Sequence, residues 1–256
     1  MSGMKVVFLG TGTSQGVPVI ACDCRVCQSA DSRDKRLRSS VMLQINNLNL
    51  VIDTGPDFRQ QMLREQVMHL DAVLFTHEHK DHIAGLDDVR AFNFKQNADI
   101  DIYATAAVQK AIKREFYYAF EENKYPGVPS FNLIEIDNHE FYINNIKIIP
   151  IEVLHYQMPV KAFRINDFTY ITDAKTIQPA EVEKIKGTKV LVINALRRHK
   201  HISHFTLQEA IDFINIIKPE KAYLTHISHL LGTHHEVSVE LPHNITLAYD
   251  GLTIEI

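Results

Sequence analysis

The sequence predicts an α/β fold, two β-sheets with helices outside them, in a single domain over residues 1–256. Three observations point there. Strand-like runs crowd both halves of the chain, segments of helical period lie between them, and several strand-like runs stop at a His or Asp. In the first half the apolar or alternating runs are residues 5–9, 41–46, 49–53, 72–75 and 100–103. Residues 133–136, 146–154, 160–165, 168–172, 190–194, 221–225 and 245–249 form the second set. Helical periodicity covers 57–67, 82–95, 106–120, 179–185 and 206–217, the last with Leu207, Ala210, Ile211, Ile214 and Ile217 on one stripe. A hydrophobic content of 45% in 256 residues is ample for one core. The loop Gly10-Thr11-Gly12-Thr13-Ser14-Gln15-Gly16-Val17-Pro18 follows the first strand. It lacks the Lys and the helical sequel of a phosphate-cradling loop, so we read it as a turn shaping the mouth of a site.

Chemistry concentrates in Thr76-His77-Glu78-His79-Lys80-Asp81-His82, a His-x-His-x-Asp-His pattern directly after the apolar run Ala72-Val73-Leu74-Phe75. Four groups able to bind a divalent cation fall within six residues. Imidazole suits zinc, iron or manganese, and carboxylate suits the harder of these. In an extended turn His77 and His79 point the same way and reach one metal. Asp81 and His82, at a helix start, serve a neighbouring one. A solvated turn with coincidental histidines is the bland alternative.

This motif resembles that of the metallo-β-lactamase superfamily, which implies an αββα sandwich of two mixed β-sheets with helices on the outer faces. It also implies a later His, an Asp bridging two metals, and a last His near the C-terminal end. Strand-like runs end on His155, Asp173 and His226 in that order. The implied assignment gives His77, His79 and His155 to one cation and Asp81, His82 and His226 to the other, with Asp173 between them. Asp53, which ends the third strand, resembles the superfamily's early Asp that supports the metal loop. For Asp57 we expect helix capping.

All three cysteines lie in Cys22-Asp23-Cys24-Arg25-Val26-Cys27. An odd number without a secretory signal argues against a disulfide framework, and a redox pair is the middle reading. Three clustered thiolates suit a closed tetrahedral zinc site lacking one ligand, which His229, three residues after His226, would supply. The cysteine run together with that His resembles the PhnP-type phosphodiesterases. A similar run occurs in the superfamily protein of pyrroloquinoline quinone synthesis.

Three further segments bear on substrate. His204-Phe205-Thr206 resembles a motif of the phosphodiesterase and tRNA-processing branches, which implies a non-ligand His facing the leaving group; a helix cap is the alternative. Asp81 and His204 are the expected catalytic residues. Arg197-Arg198-His199-Lys200-His201 is a basic loop, either a solvated face or a phosphate contact. The aromatic stretch from Phe116 to Phe131 is either a wall on which a base stacks or a helix packed on the core, and we favour the core.

The resemblance therefore implies a phosphodiesterase acting on a small phosphodiester such as a 2′,3′-cyclic nucleotide or ribosyl cyclic phosphate. Two active-site cations (zinc, manganese or iron) would neutralise the phosphoryl oxygens and lower the pKa of a water, beside one structural zinc. Alternatives are tRNA 3′-end processing, thioester or lactam hydrolysis, and a non-enzymatic metal protein of cofactor biosynthesis. Diiron oxygen or nitric oxide reduction fits poorly, because that branch has Glu where this chain has His79. A net charge of −4 argues against an extended nucleic-acid surface. No apolar run approaches the ~20 residues of a membrane span. Reduced thiols and no evident export signal point to the cytoplasm, and the resemblance suggests a homodimer.

Overall fold

The computed structural model describes residues 3–256, and the chain forms two compact units. The described residues of the first are 3–9, Ser40–Asp137 and Thr253–Glu255. Its seven-stranded mixed sheet orders the C-terminal strand Thr253–Glu255, β1 (Lys5–Gly10), β2 (Ser40–Ile45), β3 (Leu48–Ile52), β4 (Ala72–Leu74), β5 (Ile100–Ala104) and β6 (Phe131–Glu135). β3 to β6 run parallel, while β2 and β3 form an antiparallel hairpin. The hairpin turns on Asn46 and Asn47 at φ 51° and 65°, a left-handed pair that Asn tolerates. Helices α1 (Phe58–Arg64), α3 (Arg90–Gln96) and α4 (Ala106–Glu115) contribute Phe58, Met62, Phe92, Val108 and Ile112 to one apolar cluster with Val51, Val73 and Ile102 of the strands. Between α1 and α3 lies the short α2 (Lys80–Ile83).

The expected helix over 82–95 is broken in two. After α2, Gly85 comes so close to the preceding loop that a Cβ would lie 2.0 Å from the Gly55 carbonyl oxygen. The chain passes through a 3₁₀ turn, Leu86–Val89, before α3 begins. The expected helix over 106–120 likewise stops at Glu115, and Phe116 leaves helical geometry at φ −114°, ψ 37° with its ring buried. Asp57 occupies the N-cap position of α1, but its side chain makes no capping bond.

The second unit, Gly10–Ser39 with Asn138–Leu252, has eight strands. These are β7 (Phe141–Ile143), β8 (Ile146–His155), β9 (Met158–Ile165), β10 (Phe168–Ile171), β11 (Thr176–Ile177), β12 (Val190–Asn194), β13 (Lys221–Thr225) and β14 (Ile245–Leu247). β8, β9 and β10 form an antiparallel meander, and β10, β12, β13 and β14 run parallel. Pro150 sits inside β8, a position that normally argues against a strand. Its carbonyl turns away from β9 to accept from Lys184 Nζ at 3.2 Å, and the nearby Glu152 N–H reaches Glu181 rather than a strand. The side where the missing N–H would point is thus the gap between β7 and β11. Helices α5 (Pro179–Ile185), α6 (Leu207–Ile217) and α7 (His234–Glu240) complete the unit. Both α6 and α7 start on full capping boxes, Thr206 with Glu209 and Thr233 with Glu236. The cluster here joins Leu191, Ile193 and Leu224 of the strands to Leu207, Ala210, Ile214 and Ile217 of α6. No helix among the described residues is long and apolar enough to cross a membrane.

Candidate functional site

In the first unit the end of β4 leads into a histidine cluster. His77 and His79 place their rings 4.6 Å apart, and His77 and His82 lie 4.2 Å apart. Asp81 Oδ2 is 3.2 Å from His82 Nε2. The cluster is oriented by Asp53, fully buried at the end of β3 with φ 66°. Its carboxylate accepts from the Thr76 N–H at 2.9 Å, from Thr76 Oγ1 at 2.8 Å and from His82 Nδ1 at 2.7 Å. Burial pushes the Asp53 pKa up, and His82 opposes that shift. Because the Thr76 hydroxyl spends its proton on Asp53, it accepts from His77 Nδ1, 2.9 Å away. One carboxylate therefore keeps protons on Nδ1 of both His77 and His82, leaving each Nε2 with a lone pair. A metal-ligating imidazole needs such a partner on its other nitrogen, which fixes the ring and the tautomer. The loop is held in place by Thr54 N to His82 O at 2.8 Å and Gly85 N to Thr54 O at 2.9 Å.

In the second unit the candidate residues sit at strand ends. Asp173 and His226 follow β10 and β13 and both adopt a left-handed backbone at φ 55°. Such conformations are uncommon outside Gly and collect at functional sites. His155, Asp173 and His204 bring their potential ligand atoms within 4.8 Å of one another. His204 stacks on His226 at 4.9 Å and meets His155 edge-on at 4.5 Å. Asp173 Oδ2 lies 3.3 Å from His226 Nδ1 and accepts from Thr172 Oγ1 at 2.7 Å. His155 Nδ1 faces two carbonyls, those of Asp173 at 3.2 Å and Ser203 at 3.1 Å. It must therefore donate to them, which again puts the lone pair on Nε2. The Nδ1 of His204 is buried without a hydrogen-bond partner, with Asp173 Oδ1 3.8 Å away. Burial and the neighbouring His226 push the His204 pKa down to about 2, against the pull of Asp173. The capping alternative for His204 is excluded, since Thr206 caps α6.

Also in the second unit, Cys22, Cys24, Cys27 and His229 converge. His229 Nδ1 is 3.2, 3.4 and 3.5 Å from the three sulfurs. A tetrahedron with Zn–S near 2.3 Å and Zn–N near 2.0 Å has N···S edges of about 3.5 Å, so this donor set fits zinc. Backbone N–H groups of Val19 and Cys27 approach the sulfurs of Cys27 and Cys24 at 3.3 and 3.5 Å. The Cys24 thiol is lowered to about 6, foremost by that Cys27 N–H, and burial raises Cys27 to about 11. The loop is fastened to α7 by Asp34, which accepts from the His234 N–H at 2.6 Å, and by the Arg25–Glu236 pair. We expect Cys24→Ser to lose about one equivalent of tightly held zinc per chain and to lower thermal stability, because the metal couples to folding. Three thiols that titrate freely with a thiol reagent in the native protein would rule the zinc site out.

The remaining segments separate by role. The arginines of the basic loop are used within the protein: Arg198 pairs with Glu240 at 2.8 and 2.9 Å, and Arg197 donates to the carbonyls of His199 and Lys200. His201, by contrast, places its ring 5.0 Å from that of His204. In the glycine loop, Thr13 Oγ1 is 3.3 Å from His226 Nε2. A Cβ at Gly12 would sit 2.8 Å from the Arg36 carbonyl oxygen. Of the aromatic stretch, Phe116 and Ala119 join the core, Tyr118 donates to Asp87 at 2.5 Å, and Tyr117 and Tyr125 are exposed. The sequence reading missed the Thr76–Asp53 relay and the tautomer locks, because hydrogen-bond partners far apart in the chain leave no local signal.

Residues 48–227 match the family described as the beta-lactamase superfamily domain. A crystal structure described as a new diphosphatase from the PhnP family is 38% identical, with a TM-score of 0.94, covering 100% of this chain and 98% of its own. An octanoyltransferase of Porphyromonas gingivalis is 39% identical over 252 residues, 97% of this chain and 51% of that protein. The chain thus spans about half the length of this curated relative. The zinc-bound PqqB of Methylobacterium extorquens, at 20% identity, has a TM-score of 0.79 over 98% of this chain and 100% of its own, a likeness of fold. These matches agree with the two mixed sheets and their helices, and on them the chain belongs to the β-lactamase superfamily, with a metallo-β-lactamase hydrolase fold of the PhnP-like kind.

Proposed function

We propose that this chain is a metal-dependent phosphodiesterase that hydrolyses a small phosphodiester such as a 2′,3′-cyclic nucleotide or a ribosyl cyclic phosphate. The observation that carries the reading is the full-length likeness, at 38% identity, to a structure of the PhnP family, the phosphodiesterase branch that the cysteine run and His229 resemble. The donor chemistry supports it. Three imidazoles of the pattern, His77, His82 and His155, have Nδ1 committed to acceptors and Nε2 left for a cation. In this reading His77, His79 and His155 hold one divalent ion, Asp81, His82 and His226 the other, and Asp173 both. Two such ions supply Lewis acidity toward the phosphoryl oxygens and lower the pKa of a water. The ligand set accepts zinc, manganese or iron, whereas the thiolate-rich site selects zinc. The protein's own part is to position these groups, to hold His155 and His204 against Asp173, and to present an imidazole to the departing oxygen.

A second reading, hydrolysis of a phosphoanhydride, is favoured by the description of that same relative as a diphosphatase. The two differ in leaving group, an alkoxide of high pKa against a phosphate of low pKa. Acyl transfer has less support: the three cysteines gather on His229, and none belongs to the His155–Asp173–His204 cluster. The deciding experiment assays the zinc- and manganese-loaded protein on a 2′,3′-cyclic nucleotide, bis-nitrophenyl phosphate, a nucleoside diphosphate, pre-tRNA and an octanoyl thioester. We expect the cyclic nucleotide to give the highest kcat/KM. A higher value for the diphosphate would select the second reading, and turnover of the thioester alone would reject both.

A further inference from the structure

Ser203 lies between two histidines and hydrogen-bonds both. Its backbone N–H is 3.2 Å from His201 Nδ1, and its carbonyl oxygen is 3.1 Å from His155 Nδ1. A backbone N–H only donates, so His201 Nδ1 holds a lone pair and the ring proton sits on Nε2. The Ser203 hydroxyl, also 3.2 Å from Nδ1, faces the same lone pair. A carbonyl only accepts, so His155 carries its proton on Nδ1. One residue therefore locks two neighbouring imidazoles in opposite tautomers.

The consequence for His155 is that its lone pair lies on Nε2, as a metal ligand requires. His201 is the reverse. Its lone pair is used inside the protein, and its outward nitrogen is a donor that offers nothing to a cation. Among the described residues no hydrogen-bond acceptor is found for His201 Nε2, and the side chain is only half-buried. Its ring lies 5.0 Å from His204, at the edge of the His155–Asp173–His204 cluster. The surroundings favour an anion. Arg197, on the same loop, spends its guanidinium on two neutral carbonyls. Burial and Arg197 together push the His201 pKa down, so the ring stays neutral and the tautomer assignment holds at physiological pH.

We propose that His201 is a substrate-binding residue whose Nε2–H donates a hydrogen bond to an anionic phosphoryl oxygen, beside His204 at the leaving group. The inference rests on the phosphate-hydrolase reading, and its test separates the two. The probe is inorganic phosphate, titrated into the metal-loaded protein. A hydrogen bond to a charged acceptor at a partly exposed position is worth roughly a factor of ten in affinity. His201→Ala is expected to weaken phosphate binding by about that factor and to raise KM for bis-nitrophenyl phosphate more than it lowers kcat. His201→Gln keeps an N–H donor and should recover most of the loss, with metal content the same in all three proteins. Nitrogen-15 spectra of histidine-labelled protein provide a readout independent of turnover. They should show His201 with a bare Nδ1 and a protonated Nε2. Phosphate bound equally by the native protein and His201→Ala at equal metal content, no phosphate binding by either, or a protonated Nδ1 on His201 would each overturn the proposal. His201-dependent phosphate binding in a protein that cleaves no diester would support it while the phosphodiesterase reading fails.

Discussion

Replacing Asp173 is expected to abolish diester hydrolysis while leaving one tightly bound zinc per chain. The carboxylate is almost fully buried, with Oδ2 3.3 Å from His226 Nδ1 and Oδ1 3.8 and 4.0 Å from the Nδ1 atoms of His204 and His155. Its removal takes away the carboxylate that lies among His155, His204 and His226 and, on the proposed assignment, the ligand common to the two cations. Lewis-acid stabilisation worth several kcal/mol corresponds to a loss on the order of 10³-fold or more. Asp173→Ala combines that loss with strain, because the backbone is left-handed at φ 55° and Ala does not favour that region. Asp173→Asn is the cleaner variant: it tolerates the same backbone, keeps the shape and removes the charge. Both should lose metal from the histidine site and retain the metal held by Cys22, Cys24, Cys27 and His229. Full activity in a metal-free preparation of either variant would sink the assignment.

His204→Ala should separate substrates by leaving group. We expect a loss of ~10²–10⁴-fold on a cyclic nucleotide, the usual worth of acid catalysis, and a much smaller loss on bis-nitrophenyl phosphate. An alkoxide departs with a high pKa and needs a proton or a strong hydrogen bond, whereas nitrophenolate needs neither. With its pKa near 2, His204 is a neutral imidazole in the metal-free protein. In the proposed role its N–H would act first as a hydrogen-bond donor to the departing oxygen, in the way a neutral imidazole serves as an electrophile, and would give up the proton as alkoxide charge develops. A ligand role predicts something else, equal losses on both substrates with reduced metal content. Equal losses at unchanged metal content would remove the acid role. A small effect of His204→Ala on a diphosphate, whose leaving phosphate is already stable, would fit the same logic.

Much of this arrangement is legible in the sequence because the candidate residues sit where patterned strands stop. The runs to Phe75, Leu154 and Leu224 are each followed within two residues by a histidine, and β8 and β13 are observed to end at His155 and Thr225. The cysteine run was readable for another reason: three soft donors in six residues have few uses, and the structure brings His229 to them. What stayed hidden depends on tertiary contact. Periodicity over 82–95 cannot show that Gly85 must press against Gly55 and break the helix. Residues Thr176–Ile177 are too short to stand out as a strand and pair only because β8 passes beside them. The helix His234–Glu240 was missed although Thr233 and Glu236 carry the spacing of a capping box, a signal that was present and went unused. Within the basic loop, residue type alone could not separate Arg198, tied to Glu240, from His201, which faces the histidine cluster.

We propose that divalent ions at the histidine and aspartate residues drive hydrolysis, separately from a structural zinc. This proposal is tested most directly by titrating zinc or manganese into metal-stripped protein while following bis-nitrophenyl phosphate hydrolysis. The first equivalent of zinc is expected to enter the thiolate site with little activity, and turnover to rise as the next two are bound. Activity without added metal, or activity complete after the first equivalent, would contradict the proposal.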